Sequence, residues 1–284
     1  FYKNKFHNIK LINIKKTPLG WSSKKWALTK AIELSSSDII LQTDADCLPS
    51  NNWISCMVDC FSNPNVGFVC GASPLIHSDL ILNKIFQMES MIQEAVNAGA
   101  ITNNLILSCT GRNIAFKKTH FNNINGYINH EHILSGDDDL LLQKFALESN
   151  CLIQYEMHPD SLVKSYAPSR FLDFLNQRLR FASKGLLYFN IKTTIEFKFI
   201  IILLFLTNIF FILNLFSFIN TMNLFFILPI ITKMSADFIL SYVFMFRMRL
   251  NWSLTAYLIL TLLHPFYIVI IGLLGPFYKV NWKR

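Results

Sequence analysis

The run Asp38-Ile39-Ile40-Leu41-Gln42-Thr43-Asp44-Ala45-Asp46-Cys47-Leu48-Pro49 reads as an apolar strand that closes on two carboxylates one residue apart. Open α/β sheets bind ligands at the carboxyl ends of their strands. In extended chain alternate side chains share a face, so Asp44 and Asp46 should point one way while Ala45 leaves room between them. A hard cation such as Mg²⁺ or Mn²⁺ takes few protein carboxylates and completes its shell with phosphate oxygens and water. The pair therefore reads as a metal site facing a diphosphate. Asp-x-Asp beside a turn is also a common solvated loop or helix cap, so the neighbouring segments decide.

Those neighbours alternate between strand and helix. Residues 24–34 place Trp26, Ala27, Ala31, Ile32 and Leu34 at helical spacing, and Asn51 opens a second helix through Trp53, Met57 and Phe61. Gly67 to Gly71 reads as a short strand, and residues 80–98 as an amphipathic helix with Ile81, Ile85, Met88, Ile92 and Val96 on one side. An earlier strand is expected at Ile9 to Ile14. Ser108 to Phe116 joins a glycine turn to a strand, and Gly111 there permits close backbone approach to a ligand, as it would in an ordinary turn. The pattern predicts an α/β fold.

Composition divides the chain. Its 284 residues are 52% hydrophobic with a mean hydropathy of +0.35, and the excess lies in the last third. Residues 1–192 have the mixed composition of a globular domain, whereas 193–284 contain three apolar stretches, 199–219, 224–246 and 254–277. Each is long enough to cross a bilayer, which takes about 20 residues. Lys233 and Asp237 in the second stretch are four apart on one helical face, where a mutual ion pair lowers the cost of insertion.

Arg247 and Arg249 between the second and third stretches put that loop and the globular domain in the cytoplasm by the positive-inside tendency. Lys279, Lys283 and Arg284 oppose a third crossing, unless the last stretch, broken at Pro265, re-enters without spanning.

The net charge of +8 comes from scattered Lys and Arg residues without a nucleic-acid motif, which favours anionic lipid and a diphosphate as partners over DNA or RNA. Six cysteines (Cys47, Cys56, Cys60, Cys70, Cys109, Cys151) form no Cys-x-x-Cys pair and read as reduced thiols of a cytosolic domain. His130, His132 and His158 read as loop histidines rather than metal ligands.

Four motifs stand in one order: Lys24-x-x-Ala27-Leu28, Asp44-Ala45-Asp46, Gly136-Asp137-Asp138-Asp139-Leu140-Leu141 and Gln177-Arg178-Leu179-Arg180-Phe181. This order resembles the family 2 glycosyltransferases, inverting enzymes of the GT-A fold, and in particular the membrane-bound branch of cellulose, chitin and hyaluronan synthases. The resemblance covers about residues 20–190.

It implies a metal-dependent transferase with a nucleotide sugar donor, expected to be a UDP-sugar, and a lipid-linked or glycan acceptor. The enzyme would act at the cytoplasmic face of a plasma or inner membrane, in the manner of polysaccharide biosynthesis. By the same resemblance Asp44 approaches the nucleotide, Asp46 (with Asp44) the metal, and Lys24 the nucleotide end of the donor. Gln177, Arg178 and Arg180 contact the diphosphate, for which the planar guanidinium fork is suited. Phe181, standing where the family has Trp, offers the acceptor a flat surface without an indole N–H. Gly111, Arg112 and Asn113 are further candidate acceptor contacts.

Asp138 is matched to the catalytic base, with Asp137 as the alternative. Chemistry asks for one positioned carboxylate that takes the acceptor proton as the anomeric carbon is attacked from the face opposite the leaving diphosphate. Asp139 reads instead as a first-turn helix residue, stabilised by the helix dipole. Residues 169–187 read as an amphipathic helix that could lie on the membrane surface.

Members of the resembled family open with a strand and loop holding the uracil and ribose. The chain, which begins at Phe1, is expected to lack part of that pocket and to bind a uridine nucleotide more weakly than a longer chain would. Two rival readings are a processive synthase that translocates its polymer and a non-catalytic membrane scaffold or transporter with a degenerate domain.

Overall fold

A fully buried central strand flanked by largely apolar neighbours builds the sheet on which the fold rests. In the computed structural model, which describes residue 5, residues 8–76 and residues 78–278, strand β1 (Ile39–Gln42) follows helix α1 (Ser23–Leu34). A short strand β2 (Cys47–Pro49) and helix α2 (Trp53–Asp59) lead into β3 (Val66–Gly71), all six of whose residues are buried. Then come the long helix α3 (Ile81–Thr102), strand β4 (Ile114–Lys117) and helices α4 (Lys118–Asn123) and α5 (Asp139–Glu148). Strands β5 (Leu152–Glu156) and β6 (Val163–Ser165) complete the strands.

The main sheet has the order β1-β4-β3-β5, with β1/β4 and β4/β3 antiparallel and β3/β5 parallel; β2 pairs with β6 in a separate ribbon. Phe68 and Phe116 are register partners and stack 5.9 Å apart on one face, where Phe145 of α5 meets Phe68 edge-on at 5.0 Å. Val69 and Ala115 face the opposite layer with Trp53, Met57 and Val163. The fold is thus mixed α/β.

Two expectations change. Residues 9–14 form no strand; only Ile12 and Ile14 are partly covered, and among the described residues no strand pairs with the segment. Nor does β1 reach the acidic pair: it stops at Gln42, and Asp44 to Cys47 make a tight turn closed by Cys47 N–H donating to the Asp44 carbonyl at 3.1 Å. Asp44 and Asp46 therefore share a turn rather than one face of an extended strand.

The carboxyl-terminal part begins with α6 (Phe171–Ala182) and the single turn α7 (Leu187–Asn190). The amphipathic pattern over 169–187 is thus interrupted after Ala182. Helices α8 (Ile195–Thr221), α9 (Ile227–Arg247) and α10 (Leu254–Leu274) follow. The apolar segments Ile195–Thr221, Leu224–Arg247 and Leu254–Phe277 are long and apolar enough to cross a membrane.

Thr194 caps α8 through its hydroxyl, and Met222, in the left-handed conformation at φ 51°, ends it. Lys233 and Asp237 pair at 2.6 Å on α9. Helix α10 runs through Pro265 without a break, since a proline removes one helical hydrogen bond and the flanking packing holds the rest. Lys279, Lys283 and Arg284 lie outside the described residues, as does Phe1. All six cysteines are free.

Candidate functional site

Because β1 and β4 run antiparallel, the end of β1 lies beside the start of β4, with Gln42 opposite Ile114. That register brings the Asp44 turn next to the Gly111 turn at one edge of the sheet. Helix α1 docks there through two backbone contacts: Ser22 N–H donates to the Glu131 carbonyl at 2.7 Å, and the buried Lys25 ammonium donates to the His130 carbonyl at 2.6 Å. Burial pushes Lys25 down to about 8. With α1 fixed, Lys24 places its ammonium 2.9 Å from Asp44 Oδ1 and 2.8 Å from Asp137 Oδ2.

Gly136 adopts φ +81°, and a Cβ there would lie 2.6 Å from Leu140, so glycine is what lets the Asp run turn into α5. Asp138 caps that helix. Its Oδ1 accepts from Asp139 N–H at 2.8 Å and its Oδ2 from Gly111 N–H at 2.9 Å. At Gly111 a Cβ would stand 3.2 Å from Asp138 Oδ2 and 3.3 Å from Asp137 Oδ2, so the turn and the carboxylates are in close approach.

The charges of this group differ sharply. Burial opposes ionisation of Asp138, but Lys184, the two backbone N–H donors and Lys24 outweigh it and hold its carboxyl below the usual range. Burial and the Asp138 charge push Asp137 up, with Lys24 opposing. Lys24 itself, disfavoured by burial, is held above the ordinary lysine range by Asp137 and Asp44.

Asp139 serves the fold: its Oδ2 accepts from Lys184 Nζ at 2.5 Å and from the Tyr188 hydroxyl, tying the start of α5 to the segment after α6. Asn113 is likewise spent internally, donating to the Ala72 and Ser161 carbonyls at 2.8 Å each and accepting from Trp53 Nε1 at 2.8 Å. Asp46 is exposed, with the Cys47 thiol 3.8 Å from its Oδ1.

Arg112 connects the acidic group to α6. Its guanidinium donates to Thr110 Oγ1 at 3.0 Å and to the Ser165 hydroxyl, and it lines a cavity of about 20 Å³ with Gln177, Arg178 and Phe181. That space holds roughly one water, so a sugar ring would have to lie outside it. Phe181, 43% exposed, stands at its rim.

Arg178 is buried, paired with Glu89 of α3 and packed 4.9 Å over the Phe174 ring; Arg180 lies 5.4 Å over Phe181. The structure therefore brings Lys24, Asp44, Asp137, Asp138, Gly111 and Arg112 together. Gln177, Arg178 and Phe181 join through the Arg112 cavity.

Several participants escaped the sequence reading. Gln42 donates at 3.3 Å to both Asp137 Oδ2 and the Gly111 carbonyl, while its buried Oε1 has no partner. A polar residue closing an otherwise apolar strand was the available signal. Glu89, Lys184 and Tyr188 carry no such signal, because only tertiary packing makes them partners of Arg178 and Asp139.

Among the described residues no group of three His, Cys, Asp or Glu side chains forms a protein-only metal cage. The donor set still fits a hard cation that draws most of its shell from phosphate and water, since Asp44 Oδ2 and the Asp46 carboxylate stay clear of the Lys24 pair. His130 is pushed down to about 4 by burial and by Lys25, and His158 Nδ1 accepts from Asp160 N–H at 3.2 Å.

An acidic sheet edge lies beside an arginine-bearing helix, and three helices long and apolar enough to cross a membrane follow. The model of glycosyl transferase family 21 matches residues 3–284, nearly the whole chain, and the chain belongs to that family. The resemblance to family 2 thus reaches the wider class, and the family shown is 21. Membership brings with it a nucleotide sugar donor and a glycan or lipid acceptor. Among curated proteins, none matches the chain.

Proposed function

We propose that this protein is a metal-dependent inverting glycosyltransferase of GT-A type that moves a sugar from a nucleotide diphosphate, by resemblance a UDP-sugar, to a lipid-linked or glycan acceptor at the cytoplasmic membrane face. The observation that carries this reading is the bridging of Asp44 and Asp137 by Lys24 at 2.9 and 2.8 Å, beside Asp138 and Arg112. Asp44 and Asp46 would hold Mg²⁺ or Mn²⁺, which when bound neutralises diphosphate charge and eases departure of the nucleotide. Lys24 and Arg112 add fixed positive charge beside them, while Arg178 and Gln177 line the small cavity that Arg112 borders.

Asp138 is the proposed base, with Asp137 as the alternative. The two backbone donors fix its carboxylate in place, and the groups around it keep it ionised, ready to accept the acceptor hydroxyl proton. In-line attack on the anomeric carbon then breaks the bond to the diphosphate oxygen and inverts the configuration. Comparing Asp138→Asn with Asp137→Asn in single-turnover transfer tests the assignment. The base variant loses about a hundredfold or more, and an Asp138→Asn enzyme within tenfold of the parent overturns it.

A further inference from the structure

The helix α10 has the length and hydropathy of a membrane span, about 30 Å at 1.5 Å per residue. A helix that crosses a bilayer carries one end away from a domain lying on one side. Helix α10 instead packs on the catalytic part through α3 and α6.

In its first two turns, Tyr257 and Leu260 are buried in the same hydrophobic cluster as Met88 and Met91 of α3. At its middle, the Tyr267 hydroxyl donates to Glu89 Oε1 at 3.5 Å, and the Tyr267 ring stacks 5.9 Å from Phe174 of α6. Just past its end, a Cβ on Gly275 would stand 2.7 Å from the backbone carbonyl carbon of Ala182, the last residue of α6. The midpoint of this apolar helix is therefore bonded to the carboxylate that pairs Arg178.

If α10 stood across the bilayer, Glu89, Gln93 and Arg178 would stand at the hydrocarbon centre with it, where ionisable groups are expensive. The outward face carries Leu258, Leu262, Leu263, Ile270, Leu273 and Phe277, all exposed and all apolar. Charge in the sequence agrees. Arg247 and Arg249 precede α10 and Lys279, Lys283 and Arg284 follow it, so both flanks carry the sign retained on the cytoplasmic side.

We infer that α10 begins and ends on the catalytic side and lies in the plane of the membrane interface, packed on α3 and α6 on its inner side, against α8 and α9 along its flanks, and on lipid over the apolar face that remains. It is then the floor of the Arg178 site rather than a third crossing. The claim concerns placement and does not depend on the transferase chemistry.

The test uses the full chain in sealed membrane vesicles of one orientation, with one epitope after Arg284 and another in the exposed loop at residues 36–38. Accessibility to an impermeant antibody, and then to added protease, is read for each. The inference expects both epitopes to be reached from the same side. An epitope after Arg284 reached only from the side opposite the 36–38 epitope overturns it. Because the readout is position, an inactive protein leaves the test decisive, and a failed topology leaves the proposed chemistry standing.

Discussion

Lys24 Nζ lies 2.8 Å from Asp137 Oδ2 while remaining 2.9 Å from Asp44 Oδ1, so one ammonium joins the turn after β1 to the acidic loop before α5. This cation decides how the acids titrate. Burial and the Asp138 charge push Asp137 up, and Lys24 restrains that rise. In Lys24→Met the restraint is gone, so Asp137 takes up its proton at higher pH. The acidic limb of the kcat/KM profile should therefore move upward, by about one unit or more for loss of an adjacent opposite charge. An unmoved limb would show that neither Asp137 nor a group coupled to it limits transfer.

Asp46 is the more exposed of the two turn carboxylates and has the freer oxygens. Replacing it with Asn keeps the shape of the turn and removes one hard anionic ligand. The expected result is a metal requirement shifted to higher Mn²⁺ concentration, with a loss of about tenfold or more in transfer at limiting metal. A metal titration that overlays the parent would remove Asp46 from the proposed site.

Glu89 and Arg178 form a buried ion pair, with Tyr267 contributing a hydrogen bond to the carboxylate. Removing one member of such a pair strands the other charge, at a cost of about 3–5 kcal/mol, whereas replacing both with apolar groups can be close to neutral. Thermal unfolding in detergent should show Glu89→Gln well below the parent and Glu89→Leu with Arg178→Met recovering much of the loss. Strictly additive losses would mean that the pair is not coupled. Tyr267→Phe, which keeps the stacked ring, should fall by far less than Glu89→Gln.

Glu94 of α3 is buried and accepts from the Tyr155 hydroxyl at 2.9 Å. Burial pushes its carboxyl up to about 7, with Asp138 adding to the rise and Arg112 and Arg178 opposing it. A carboxyl raised in the folded state binds more protons there than in the unfolded chain. Its effect on stability is thus most favourable below the unfolded value, near 4.5, and is lost as pH rises through about 7. The swing is on the order of 3 kcal/mol. Glu94→Gln should flatten the decline in melting temperature between pH 5 and pH 8, and a decline identical to the parent's would assign it to other groups.

Much of the fold was legible because its signals are local. The apolar runs of β1 and β3, the helical spacing around Trp26 and Met57, and the three long apolar stretches need no tertiary knowledge. Failures occurred where packing decides. Residues 9–14 are apolar enough for a strand but find no strand partner among the described residues, and the Asp44–Asp46 pair lies in a turn because Cys47 already pairs with Ser165.

Within the candidate site, short motifs marked residues whose backbone surroundings are built into the motif, such as Asp138 at the start of α5. Glu89, Lys184 and Tyr267 were not marked, because their partners come from distant segments. Asp139 opens α5, as its helical reading expects, and Lys184 and Tyr188 add an ion pair and a hydrogen bond which that reading did not contain.

The most direct test incubates membranes holding the full chain with a panel of nucleotide sugars and Mn²⁺ and follows products by mass, for the parent and for Asp138→Asn. The proposed chemistry predicts a sugar-bearing lipid or glycan product from one donor class, reduced about a hundredfold or more in the variant. A product formed equally by both proteins, or donor consumption with no sugar reaching any acceptor, would contradict it.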